Sequence, residues 1–118
     1  MYAYEIPGMR FSLPAGGAVA RHRFVAVSAE KAVQATAASH VIGVSMNEVT
    51  ADELTKGERI VEIADGIVMV EAAGAITAGA AVHSDANGKA TTTAGTGSAA
   101  GIAITAATSA GQLIAVKL

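Results

Sequence analysis

The chain has 118 residues, of which 52% are hydrophobic and 15% charged, with a formal net charge of −2. So high a hydrophobic share excludes a disordered polymer, the charge balance argues against electrostatic nucleic-acid binding, and no apolar run nears the roughly 20 residues a membrane-crossing helix needs. Alanine supplies 28 residues, against two Phe, two Tyr, no Trp and no Cys, so the core is lean and has no disulfide to reinforce it.

In MYAYEIPGMRF, Tyr2, Tyr4 and Ile6 alternate ahead of Pro7, which reads as an extended N-terminal arm over residues 1–12. Such an arm is either a frayed end or a strand that adds to a partner's sheet edge with alternate side chains in pockets. It lacks the charged and apolar regions of a signal peptide, so export is not expected. Arg21-His22-Arg23 is the basic cluster. Its plain reading is a solvated strand or loop edge, and its sharper one a contact between Arg21, Arg23 and an acidic partner surface.

Residues 28–39, SAEKAVQATAAS, are ambiguous: the alanines favour helix, but the stretch is short and weakly periodic. Thr50 followed by Glu53 forms a capping-box pattern and Lys56-Gly57 a stop, so a short helical turn is expected near residues 51–56. In ERIVEIADGIVMVEA (58–72), β-branched runs flank Asp65-Gly66, the dipeptide favoured in a type I′ turn, which predicts a hairpin there. Asp85-Ala86-Asn87-Gly88 marks another turn, between Ala81-Val82-His83 and a strand over Lys89–Thr93. From Ala86 to Leu118 only Lys89 and Lys117 are charged, which suits a packed interface better than a freely solvated surface.

An internal repeat connects these elements. Residues 17–63 and 74–118 share an order: glycine, apolar segment, turn before lysine, alternating segment, Gly-Val or Gly-Ile, connector, glycine, final strand. Gly43 aligns with Gly101, Gly57 with Gly111, and Val61 and Ile63 with Val116 and Leu118; the second connector is about four residues shorter. The repeat turns KAVQAT into a strand like KATTTA. It predicts an all-β domain over residues 13–118, a small barrel or sandwich of two similar β-units joined through the Asp65-Gly66 hairpin.

Motifs that resemble chemistry have plainer explanations. Gly95-Thr96-Gly97 leads into a strand with no later acid, unlike a dinucleotide fingerprint, and Gly88-Lys89-Ala90 lacks the hydroxyl of a P-loop. His83-Ser84-Asp85 are neighbours running into a turn, whereas triad members converge from separate segments. His22, His40 and His83 have no ligand spacing, so no metal or other cofactor and no catalysis are expected. Lys89 has a partial likeness to the modified lysine of lipoyl and biotinyl carrier barrels without its flanking context. A small ligand-binding or group-carrier β-domain centred on that turn is therefore the alternative.

The ordered set Pro14-Ala15-Gly16-Gly17, Ile42-Gly43-Val44, Gly57-Glu58, Gly66-Ile67-Val68, Ala78-Gly79, Asn87-Gly88-Lys89 and the closing Gly101-Ile102 to Val116-Lys117-Leu118 resembles the capsid decoration, or cement, proteins of tailed bacteriophages. The resemblance spans about Leu13 to Leu118. It implies an all-β, barrel-like subunit without catalysis, made in the host cytoplasm, that trimerises on the capsid exterior. There it would bridge major capsid protein subunits and stabilise the shell, with no nucleic acid, membrane or small-molecule substrate as partner. Under that resemblance Tyr2, Tyr4 and Ile6 become candidate anchors of the arm, and Arg21 and Arg23 candidate contacts to an acidic shell.

Overall fold

A computed structural model describes residues 6–118. In chain order the elements are β1 (Ile6–Pro14), β2 (Phe24–Ser28), β3 (Lys31–Gln34), β4 (Gly43–Ser45), α1 (Ala51–Thr55), β5 (Ile60–Glu71), β6 (Ala81–Ser84), β7 (Ala90–Thr91), β8 (Gly101–Ala103) and β9 (Leu113–Lys117). They form one curled, antiparallel, half-barrel sheet in the order β3-β2-β4-β5-β9-β8-β6-β7, with β1 alongside β5. The fold is all-β with one short helical turn, as the sequence implied.

That turn is built as its residues dictate. The Thr50 hydroxyl accepts from the Glu53 N–H at 3.1 Å, and the Glu53 carboxylate accepts from the Thr50 N–H at 3.0 Å. The alanine-rich KAVQ segment is strand β3, pairing with β2 from Val25↔Gln34 to Ser28↔Lys31. The two-residue turn between them is Ala29-Glu30, with φ of 51° and 64°. Positive φ at both central residues is what the twist of a tight hairpin demands, and here two L-residues with side chains adopt it.

The expected hairpin at Asp65-Gly66 does not form. β5 runs unbroken for 12 residues through that dipeptide. A two-residue type I′ turn needs positive φ at both positions, and only Gly66 has it (φ 107°), with the Asp65 carboxylate accepting its N–H at 2.7 Å. The flanking runs find other partners: β1 and β4 take the first half of β5, β9 the second. Opposite the dipeptide, the β1 register shifts between Pro7 and Met9, as at a β-bulge. Asp65-Gly66 is thus a kink in a shared strand.

The two units repeat the same hydrogen bonds. Val19 and Val49 exchange backbone bonds at 2.9 and 2.8 Å, and Ile76 and Ala107 do so at 2.9 Å each. Ala15 N–H donates to the Arg59 carbonyl as Ala72 does to Gln112, and Met46 to Glu62 as Ile104 to Ala115. The matches extend beyond the stretches aligned by sequence, because Leu13↔Val61 in β1–β5 corresponds to Val70↔Ile114 in β5–β9. They also move one alignment by two residues: Val44↔Ala64 corresponds to Ile102↔Lys117, so Val61 and Ile63 match Ile114 and Val116. β5 therefore closes the first unit with one half and opens the second with the other.

Two cores result. The smaller one, around Val19, Val25, Ala32, Val49, Val61 and Ile63, draws only on the first unit. The larger contains the matching residues of the second unit, such as Ile76, Val82, Ala90, Ile114 and Val116, together with Phe24, Ala26, Val44 and Ala64 from the first. Strand alternation explains this division, since Val25 and Phe24, or Ile63 and Ala64, point to opposite faces. One face of the first unit fills its own core; the other lies on the second unit.

Residues 6–12, expected as an extended arm, are indeed extended and pair along β5 of their own chain, with Phe11 and Leu13 packed against the smaller core. Tyr2 and Tyr4 lie outside the described residues.

Candidate interaction surface

Among the described residues, the candidate contacts Ile6, Arg21 and Arg23 are not brought together. The Ile6 backbone pairs with Ile67 at the end of β1, while Arg21 is exposed in the turn before β2. Arg23, two residues on, turns inward. Its guanidinium reaches Glu71 at 3.4 Å and the Asn87 carbonyl at 3.0 Å, with its side chain only 16% exposed. The turn at residues 21–22, with His22 at φ 60°, plus one acidic neighbour separates two arginines that the sequence presents as a pair. Arg23 ties β2 to β5 and to the 85–88 turn.

Glu71 also holds Lys89, whose ammonium lies 3.0 Å from its second carboxylate oxygen. The hydrogen bond from Lys89 and the neighbouring Arg23 charge hold the Glu71 carboxyl below the usual carboxylate range, against a desolvation effect that acts the other way. This cluster spans the seam: Arg23 belongs to the first unit, Glu71 to the shared strand and Lys89 to the second unit. It also weakens the carrier alternative. A modified lysine must project free from a turn tip, whereas Lys89 follows the tip and is ion-paired.

The 83–85 stretch is likewise committed to local structure. The Ser84 hydroxyl donates to the Asp85 carbonyl at 2.9 Å, and the Asp85 carboxylate accepts the N–H groups of Asn87 and Lys89, both at 2.8 Å. These bonds build the β6–β7 turn. His40 meets Ser98 at 3.0 Å across the seam, and among the described residues no three His, Cys, Asp or Glu side chains cluster as metal ligands.

The glycine-rich stretch following Lys89 is part of the same seam. Gly97 donates its N–H to the Ala37 carbonyl at 3.0 Å, and a Cβ on either Gly95 or Gly97 would overlap the 37–39 backbone. Glycine is required there by close approach of two backbones.

On the second unit, the outward side of β8 and β9 is apolar and weakly charged. Ile102 (44% exposed), Ile104 (42%) and Leu113 (45%) stand exposed on β8, just after it, and on β9, around the single cation Lys117. No residue type in this set advertises a surface site, because each also reads as core in an alternating strand. The signal available in the sequence was the neutrality of the segment from Ala86 onward.

Residues 6–118 match the family model described as phage cement protein. No curated protein matches the chain. Among solved structures, it is similar to the head fiber gp8.5 N base of bacteriophage phi29, with a TM-score of 0.72 over 93% of this chain and 94% of that one. At 19% identity, that likeness concerns the fold.

Proposed function

The chain belongs to the phage cement protein family, and from that premise we propose that it coats the outside of a phage head as a trimer. It would bridge neighbouring major capsid protein subunits there and stabilise the shell by adhesion. The observation that carries this reading is the family match over residues 6–118. The chain's chemistry agrees with it. The ionic cluster at Arg23, Glu71 and Lys89 is internal, the exposed residues of β8 and β9 are apolar but for Lys117, and a lean fold gains apparent stability from whatever binds only its native form. Repeated contacts of ordinary size reinforce a shell through multivalency without one tight site.

In this proposal Arg21 faces an acidic shell surface, and the segment ahead of β1, with Tyr2 and Tyr4, anchors the subunit. Ile6, the first residue of β1, belongs to the same candidate anchor. Arg23 acts from within, fixing the turn that presents Arg21.

The test is occupancy. Purified protein added to heads lacking it should bind at saturable stoichiometry and raise the temperature at which packaged DNA becomes accessible to dye. Deleting residues 2–5, which spares β1, and separately Arg21→Glu, should each lower occupancy. Heads that neither retain the protein nor gain heat resistance would reject the function; unchanged occupancy of the two variants would reject only the assigned contacts.

A further inference from the structure

The seam between the two units is one-directional. The outward face of the first unit, carried by Phe24, Val44 and Ala64 with Met46 packed beside them, lies on the core of the second. Matching hydrogen bonds place Ala81, Ile102, Lys117 and Ile104 at the corresponding positions of the second unit. There nothing in the chain covers them among the described residues: Phe24 and Val44 are fully buried, whereas Ile102 and Ile104 are 44% and 42% exposed.

The opposite end shows the complementary gap. Val68 and Val70, on which the first unit rests, are fully buried. Their counterparts in β1, by the pairings Phe11↔Ile63 and Leu13↔Val61, are Phe11 and Leu13, which are only half-buried against the smaller core. That core contains no residue beyond Ile63. The molecule is a stack of two layers whose lower surface has the pattern that fits its own upper surface. Stacked repeat units need either polar caps or a further unit at their ends.

We propose that the Ile102–Ile104 face docks onto a second copy of this chain, at the side of that copy's first unit where Phe11 and Leu13 lie, reusing between molecules the contact that already joins the units within one. The two surfaces differ, so the interface is heterologous, and heterologous contacts close into a ring when the rotation per subunit permits. The inference deepens the self-association in the proposed function by naming the surfaces. Lys117 replaces the buried Ala64, so the intermolecular contact is weaker than the internal seam and reversible.

Ile104→Asp disables the lower surface alone, at an exposed position, and Phe11→Glu disables the upper one alone. Light scattering should find each variant monomeric, with self-association weakened at least about tenfold. An equimolar mixture should form a heterodimer and nothing larger, because one intact surface of each kind remains. As a check independent of any folding defect in the Phe11 variant, the cysteine-free chain permits Ile104→Cys and Phe11→Cys, mixed and treated with a short bis-maleimide, free and on capsids. Cross-links should join the two variants to each other and leave Ile104→Cys alone uncoupled. Homodimeric coupling of Ile104→Cys, the absence of any heterodimer, or an Ile104→Asp protein that assembles like wild type would each overturn the proposal. If that last protein also lost capsid occupancy, the face would belong to the shell contact and the proposed function would stand.

Discussion

The two β-units make the same backbone bonds with very different side chains. The first has Phe24, the capped turn α1, and most of the ionic side chains; the second is built mostly from alanine, threonine and glycine, and after Ala86 has only Lys89 and Lys117 charged. Yet the larger core lies in the leaner unit, because the first unit contributes Phe24, Ala26, Val44 and Ala64 to it. A backbone pattern can thus be repeated with much less side-chain volume, provided a neighbouring layer supplies what is missing. The first unit holds a core of its own; the second has one only in company.

The sharpest way to break this asymmetry is Phe24→Ala. Phe24 is chemically part of the first unit and energetically part of the second, and it is fully buried. Truncation should cost about 3–5 kcal/mol in urea unfolding. The protein should still lose both units in one transition, and two separable transitions would show that the cores are independent.

Next in size is Glu71→Ala, which leaves Arg23 and Lys89 at the seam without their shared counter-charge. With these side chains partly exposed, about 2 kcal/mol is expected, below the cost of breaking a fully buried pair. The sign with pH follows from the lowered Glu71 pKa. Its contribution is complete above the ordinary carboxylate range and is lost as pH falls through the depressed folded value, so the wild-type advantage over Glu71→Ala should shrink on acidification. A constant difference between the two proteins down to low pH would contradict this assignment.

A smaller effect of opposite sign should come from the β2–β3 turn, which has no glycine at either central position. Replacing Ala29-Glu30 by Asn-Gly supplies residues that accept positive φ, and thermal unfolding should show a gain of about 1 kcal/mol. Last, Thr50→Ala removes the cap of a helical turn that the second unit lacks. A loss near 0.5–1 kcal/mol is expected, with faster amide exchange confined to residues 51–56. Spread of that exchange into β8 or β9 would mean the first unit's private feature also supports the second.

The strands, the capped turn and the repeat were legible because each rests on local spacing: alternation for the strands, Thr50 with Glu53 for the cap, Gly43 against Gly101 for the repeat. Asp65-Gly66 was misread for a physical reason. The dipeptide does place a glycine at positive φ, but whether a chain reverses there depends on which strands are available to pair, and β1, β4 and β9 come from three distant segments. The Ala29-Glu30 turn was invisible because neither residue type prefers its conformation; the pairing on both sides imposes it. Among the contact candidates, Arg21 and Arg23 look equivalent in sequence, and the positions of Glu71 and Asn87, 48 and 64 residues away, send one of them inward.

β5 gives the molecule a mechanical property. Tension that pulls the two units apart acts along a continuous covalent strand, bonded laterally by β1, β4 and β9, so the ladders are loaded in shear and must fail many bonds at once. A hairpin at Asp65-Gly66 would instead have let the units peel open one bond at a time. A tie-bar of this kind transmits load from one unit to the other without unfolding at its middle.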